Sequence, residues 1–186
     1  MPSFQRAWAM GILLGLTTAT RGLAGSLPTE LGFDCGIEVQ SYEGKRTTIV
    51  ALPFSLYNFS PALRFGTFAS PSIEIEPGLS FFSVNYQGSS VTHLLGSLSL
   101  LYHFAEPGSR PRAYLRFGAI GNVLDGGGGG TSQLGLGGGV GIKVPQGESF
   151  ATRLEASYTR AFEHRSDHVH EQDVVAIRFG LSYFVR

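Results

Sequence analysis

The sequence is poor in charged residues and balanced in their sign, and both features exclude functions. Charged residues make up 15% of the 186 residues, against about 25% in a soluble globular domain. The 14 basic residues match the 14 acidic residues, so the chain has no net field with which to hold the phosphates of a nucleic acid. We therefore expect no nucleic-acid partner.

Cysteine occurs once, as Cys35, which excludes an intramolecular disulfide and a metal site built from several cysteines. We expect Cys35 to be a small apolar side chain on a strand. The glycine-rich stretches between Gly126 and Gly141 complete neither the G-x-G-x-x-G pattern nor the phosphate-loop pattern. We therefore expect no cofactor.

Long apolar segments are missing beyond the first residues, so no part of the remaining chain is predicted to cross a bilayer as a helix. Residues 1–24 have the pattern of a secretory signal peptide, with Arg6 as the positive region, an apolar run over residues 7–19 and small residues before the cleavage site. We predict cleavage after Ala24, which leaves residues 25–186 as one domain.

The remaining sequence alternates between apolar and polar residues with a period of two, which is typical of strands with two unlike faces. The C-terminal segment shows this best, with apolar residues at Val175, Ile177, Phe179, Leu181, Tyr183 and Val185. A strand of about 9 to 11 residues crosses a bilayer at a tilt. The repeated pattern predicts an all-β fold, namely a closed antiparallel up-and-down transmembrane β-barrel.

The number of strands is predicted from the requirement that it be even. Nine alternating segments can be counted, but a barrel whose chain begins and ends on the periplasmic side needs an even number. We join Thr47–Phe54 and Leu63–Ala69 into one interrupted strand, which predicts eight. Short periplasmic turns are then expected at residues 70–71, 105–111 and 145–149, and longer external loops at residues 42–46, 86–90, 124–132 and 162–172.

The polar faces are expected to point inward, because the glycines of residues 135–141 suit the narrow interior of an eight-stranded barrel. Large apolar side chains from the opposite faces would overfill it. The assignment places these charged residues in the lumen: Asp34, Glu38, Arg64, Glu74, Glu76, Arg116, Lys143, Arg153, Glu155 and Arg178. Unpaired charges are costly in a poorly hydrated interior, so this balanced set predicts salt bridges across the lumen that plug the barrel.

The predicted loop 162–172 carries the most reactive side chains: His164, Ser166, His168 and His170. Three histidines near carboxylates can bind a divalent metal, but their spacing matches no strong ligand motif. His164 and Ser166 suit a lipid hydrolase, as in the lipid A deacylases, yet a nucleophile needs a rigidly held base. We assign this loop neither a catalytic nor a metal role, and keep a lipid-modifying hydrolase as an alternative.

The closing segment, residues 176–186, resembles the C-terminal strand of small outer-membrane β-barrel proteins of the OmpA and OmpX type. Residues 112–118 and the glycine-rich strand after Leu134 are similar to such proteins as well, whereas Arg186 stands where an aromatic residue normally ends the chain. The resemblance implies a location in a bacterial outer membrane, contact with its lipids and lipopolysaccharide, and recognition by the barrel assembly machinery.

Taken together, these patterns predict a structural or surface-interaction protein that acts through external loops and is not an enzyme. A narrow pore is a second alternative, although a charge-balanced lumen disfavours ion flow. A soluble periplasmic barrel is a third, since such barrels also alternate. The sequence names no extracellular partner.

Overall fold

A computed structural model describes residues 29–51, 59, 61–86, 89–105, 110–126, 129–162 and 171–185. The predicted signal peptide, residues 1–24, lies outside the described residues. The regular elements are β1 (Thr29–Tyr42), β2 (Lys45–Ala51), β3 (Leu63–Ser70), β4 (Ile73–Tyr86), β5 (Ser89–His103), β6 (Arg112–Gly126), β7 (Gly129–Pro145), β8 (Phe150–Ala161) and β9 (Gln172–Val185). None of the described residues belongs to a helix long and apolar enough to span a bilayer.

These strands form one antiparallel sheet that closes on itself. Each strand from β3 to β8 pairs with the next along the chain, and β9 returns to pair with β1. That closing ladder runs from Thr29 opposite Val185 to Ser41 opposite Asp173. The predicted all-β, closed, up-and-down antiparallel barrel is thus confirmed.

The barrel has eight strands in cross-section because β2 and β3 share one position in the wall. Both pair with the same edge of β1, β2 from Gly36 to Tyr42 and β3 from Thr29 to Phe33. Only Asp34 and Cys35 of β1 lie between the two ladders, whereas β2 ends at Ala51 and β3 begins at Leu63, so the strand is interrupted between these two residues. The predicted interruption is confirmed, although residues 52–58 and 60 are outside the described part.

The connections define two ends of the barrel. We call the end that holds Thr29 and Val185 the terminal end; its turns are residues 71–72, 104–111 and 146–149. The opposite, hairpin end has connections at residues 43–44, 87–88, 127–128 and 162–171.

The prediction of longer loops at the hairpin end was wrong for three of the four connections. The expected loop 124–132 is mostly paired strand, with Asp125 opposite Gly130 and Gly126 opposite Gly129. Glycine residues form the backbone hydrogen bonds of a strand as other residues do. A glycine-rich composition therefore did not imply a loop. At the first connection, Glu43 and Gly44 form a tight turn with φ of 46° and 76°, a conformation that two-residue hairpins favour.

The two faces of the wall differ as the alternation requires. Apolar side chains point outward, with Phe117 64% exposed and Ile177 61% exposed. Polar and charged side chains point inward, with Arg64 and Arg153 each 1% exposed. The barrel is therefore apolar outside and polar inside, the reverse of a water-soluble barrel.

Candidate functional site in the barrel interior

The interior of the barrel collects buried charges of both signs. Among the described residues, six acidic and six basic side chains are buried: Glu30, Asp34, Glu38, Glu74, Glu76 and Glu155, with Arg64, Arg112, Arg116, Lys143, Arg153 and Arg178. The ten charged residues assigned to the lumen from sequence all belong to this set. Because alternate residues of a strand point to opposite faces, every one of these positions follows from strand register.

Lys143 links two sides of the lumen near the terminal end. Its Nζ lies 2.5 Å from Glu30 Oε2 and 2.8 Å from Glu74 Oε2. Glu74 Oε2 also lies 2.7 Å from His103 Nε2. Glu30 is on β1, Glu74 on β4 and Lys143 on β7, so these contacts join strands that are not neighbours in the sheet.

Arg64 of β3 holds three carboxylates at once. Its Nη1 lies 2.9 Å from Glu30 Oε1 and 2.9 Å from Glu76 Oε2, and its Nε lies 2.7 Å from Asp34 Oδ2. Gly32 makes room for this guanidinium group, because a Cβ at that position would come within 2.5 Å of Arg64 Cζ. A side chain larger than glycine there would displace the arginine.

Glu155 of β8 forms the second centre. Its Oε1 lies 2.7 Å from Arg178 Nη2 and 3.0 Å from Arg116 Nε, and its Oε2 accepts a 2.8 Å hydrogen bond from the Tyr114 hydroxyl. Arg153 also contacts Glu155 and reaches across the lumen to Glu76, 2.6 Å from Nη1 to Oε2. One buried carboxylate therefore balances several guanidinium groups, and Arg153 connects the two centres.

Glu38 is the exception among the predicted lumen charges. It is fully buried but has no ion-pair partner among the described residues. Its Oε2 accepts hydrogen bonds from the backbone N–H of Phe59, at 2.9 Å, and from Gln40 Nε2, at 3.2 Å. This hydrogen bond holds Phe59 inside the barrel. In the chain, Phe59 lies between β2 and β3.

Sequence reasoning missed several interior residues. Glu30 and Arg112 were not among the predicted lumen residues, although the period-two alternation continued backwards from Asp34 and from Arg116 includes both. Tyr114 and Phe68 were missed because only charged residues were assigned to the lumen. Arg112 lies over the Phe68 ring, 5.4 Å from its centroid, as expected for a cation–π contact.

Three carboxylates lie close enough together to hold a metal ion: Glu30, Glu74 and Glu76. Each of them is already paired with a buried cation, either Lys143, Arg64 or Arg153. The charge of the cluster is therefore balanced by the protein itself, and its geometry does not call for a metal.

The side chains singled out in the last loop, His164, Ser166, His168 and His170, lie outside the described residues. The residues that flank them are described. Arg160 Nη2 lies 2.6 Å from Glu171 Oε2, and the Tyr158 hydroxyl donates a 2.5 Å hydrogen bond to Asp173. These contacts are exposed and tie the ends of β8 and β9 together.

Comparisons with known proteins agree with this architecture at the level of the fold. No protein-family model and no curated protein matches the sequence. Neisserial surface protein A is similar in structure, with a TM-score of 0.60 and 14% identity over 83% of this chain and 96% of that one. The N-terminal β-barrel domain of Pseudomonas aeruginosa OprF has a TM-score of 0.52 and 17% identity, over 85% and 97% of the two chains.

A third similar structure is the outer membrane protein OprG from Pseudomonas aeruginosa, with a TM-score of 0.50 and 12% identity over 86% of this chain and 96% of that one. Identities this low support a shared fold and no shared activity. The fold implied by the sequence resemblance is confirmed: the chain has the fold of the small eight-stranded outer-membrane β-barrels.

Proposed function

We propose that this chain is an integral protein of a bacterial outer membrane whose lumen is closed by its own ion pairs. The proposal rests on the contrast between the apolar outer face of the barrel wall and its polar inner face. An outward surface of exposed Leu, Ile, Val and Phe side chains suits lipid, because apolar area exposed to water is unfavourable. In this orientation the apolar face contacts outer-membrane lipids and lipopolysaccharide.

The terminal end is assigned to the periplasm and the hairpin end to the cell exterior. In barrels of this kind both chain ends lie in the periplasm, and here Thr29 and Val185 lie at the same end. The proposal includes export by the signal peptide, with cleavage after Ala24, and recognition of β9 by the barrel assembly machinery.

The closed lumen is supported by the ion pairs that cross it. Contacts such as Lys143 with Glu74 and Arg153 with Glu76 occupy the centre of a barrel that is only wide enough for side chains. Buried carboxylates that are held by several cations also make poor general bases, because ion pairing stabilises their charged form. We therefore propose a structural or surface-interaction role without catalysis or ion conduction.

Location and orientation can be tested together in a Gram-negative host. The full chain should fractionate with outer membranes and show heat-modifiable migration in detergent gels. With Cys35 replaced by alanine, a membrane-impermeant maleimide should label Lys45→Cys in intact cells but label Gln146→Cys only after permeabilisation. Labelling in the opposite order would overturn the orientation, and recovery in the soluble periplasmic fraction would overturn the membrane location.

The closed lumen has its own test in planar bilayers. The purified barrel should produce no stepwise conductance above that of protein-free membranes. Stepwise conductance by the folded protein would favour the narrow-pore alternative and would leave the outer-membrane location intact.

The predicted signal cleavage is tested by N-terminal sequencing of the exported protein, whose first residue should be Gly25.

A further inference from the structure

The outer wall of β1 and β2 carries a row of polar side chains at the hairpin end. In the ladder between these strands, Ser41 lies opposite Arg46, and Val39 lies opposite Thr48. Because side chains alternate along a strand, Ser41, Arg46 and Thr48 share the outer face of the wall with Val39. A guanidinium group and two hydroxyl groups therefore lie on neighbouring strands at the outside of the barrel.

The apolar part of the outer face begins directly below this row. The next register pair on the same face, toward the terminal end, is Ile37 opposite Val50. On the other side of β1, Ile37 lies opposite Ile177, and each of these three side chains is more than half exposed. A molecule lying along this wall would meet apolar side chains over one part and polar side chains over the next, as a lipid does at a membrane interface.

Positive charge is in excess at the polar row. Arg46 and the adjacent Lys45 are both exposed, and no ion pair among the described residues involves either of them. The turn between β1 and β2 contributes one acid, Glu43, so two cations face a single carboxylate. Unpaired cations at the edge of an apolar surface attract anionic lipid headgroups.

Arg160 lies on the same face of the wall but is already neutralised. Asp173 lies opposite Ser41 in one ladder and opposite Arg160 in the next. The Arg160 guanidinium group lies 3.6 Å from Asp173 Oδ1 and 2.6 Å from Glu171 Oε2. Three strand spacings of about 4.8 Å separate Arg160 from Arg46, which exceeds the Debye length of about 8 Å at physiological salt. An anion bound at Arg46 therefore does not depend on Arg160.

We propose that Arg46, Ser41 and Thr48 bind a phosphate group of lipid A, the lipid part of lipopolysaccharide, whose acyl chains lie along the apolar wall. A guanidinium group binds two phosphate oxygens at once, and hydroxyl groups donate hydrogen bonds to the others. A phosphate monoester carries roughly −1.5 to −2 charges at pH 7, whereas the phosphodiester of a phospholipid carries a single charge. The excess of cations therefore favours lipid A. The inference rests on the proposed function, which assigns the hairpin end to the cell exterior.

The test measures lipid binding to the full chain, folded in micelles of a neutral detergent at about 0.15 M ionic strength. The probes are lipid A, lipid A whose phosphates have been removed, and phosphatidylglycerol, and native mass spectrometry measures how much of each lipid the barrel retains. Lipid A should bind about tenfold more tightly than either comparator, which corresponds to ~1.4 kcal/mol.

One variant locates the site and a matched variant serves as its control. Arg46→Gln should weaken the binding of lipid A about fivefold and leave the binding of dephosphorylated lipid A unchanged, since the acyl chains contact the wall in both cases. Arg160→Gln removes an exposed cation from the same face and should bind as the unmodified chain does. Heat-modifiable migration shows that each variant is folded.

The proposal is overturned if the unmodified chain binds lipid A and dephosphorylated lipid A equally, because the phosphate would then contribute nothing. It is also overturned if folded Arg46→Gln keeps the full preference, if Arg160→Gln loses as much binding as Arg46→Gln, or if phosphatidylglycerol binds as tightly as lipid A. These measurements are made in micelles and do not depend on where the protein lies in a cell. Fractionation and maleimide labelling therefore test the proposed function separately, so that the two failures are distinguishable.

Discussion

The two halves of the barrel interior contain different chemistry. The half near the terminal end holds Lys143, Arg64 and Arg153 among carboxylates at 2.5 to 2.9 Å. The half near the hairpin end holds amides, hydroxyl groups, the apolar cluster around Phe59 and the carboxylate of Glu38, which accepts hydrogen bonds from Phe59 and Gln40. Ion pairs therefore join distant strands in one half, whereas hydrogen bonds of amide side chains predominate among the described contacts in the other half.

The strand pairing in the barrel wall also differs between the two halves. Near the terminal end β3 continues the ladder from β1 to β4. Near the hairpin end, within the described residues, β2 pairs only with β1, and β4 beyond Leu79 pairs only with β5. We therefore expect the loss of one side chain to cost more stability in the ion-paired half than in the other half.

The largest effect is expected when the ion network loses a carboxylate. Glu155→Gln should destabilise the barrel by about 3–5 kcal/mol, because Arg116 and Arg178 would be left buried without their anion and Arg153 would keep only Glu76. The measurement is urea unfolding in phospholipid vesicles, followed by heat-modifiable migration.

The matched control removes a neutral bond from the other half. Gln172→Met loses the hydrogen bond to Gln40 and should cost about 0.5–1.5 kcal/mol. If the two variants lose the same stability, the proposed difference between the halves is incorrect.

A somewhat smaller effect is expected on the outer face, which is apolar in both halves. Phe117→Arg should cost about 2–4 kcal/mol in vesicles, since a cation would replace an apolar side chain near the bilayer midplane. Phe117→Leu keeps the face apolar and should be nearly neutral in the same unfolding assay. Equal stability of the two variants would mean that Phe117 does not face lipid.

Alanine substitutions at two glycines test how tightly the side chains around them are packed. Gly141→Ala should destabilise by about 1–3 kcal/mol through overpacking, because the added Cβ meets the Tyr114 ring and lies 2.8 Å from the carbonyl of Leu154. Gly121→Ala is the control on the outer face, where the nearest atom, Leu134 Cδ2, is 3.5 Å away. A Gly121 variant as unstable as the Gly141 variant would show that the loss comes from replacing glycine in the strand and not from crowding in the lumen.

The period-two pattern was sufficient to predict the fold and the inward direction of the charges, because strand register fixes both. It did not predict which charges meet across the lumen: the contact of Arg153 with Glu76 depends on shear between strands and cannot be read from one strand at a time. Glu38 illustrates the limit, since its partner proved to be the backbone of Phe59. The glycine hairpin at residues 126–129 was mistaken for a loop because composition does not report backbone pairing.

The smallest effect is expected for an ion pair outside the lumen, and it tests whether burial is what distinguishes the network. Arg160 lies 2.6 Å from Glu171, as close as the buried pairs, but the two side chains are 44% and 61% exposed. Water screens such a pair and each side chain loses rotamer freedom on forming it, so Arg160→Gln should leave the urea midpoint unchanged. A shift comparable to that of Glu155→Gln would mean that distance rather than burial determines the contribution. An unchanged midpoint would instead assign the larger contribution to the charges that the barrel wall removes from water.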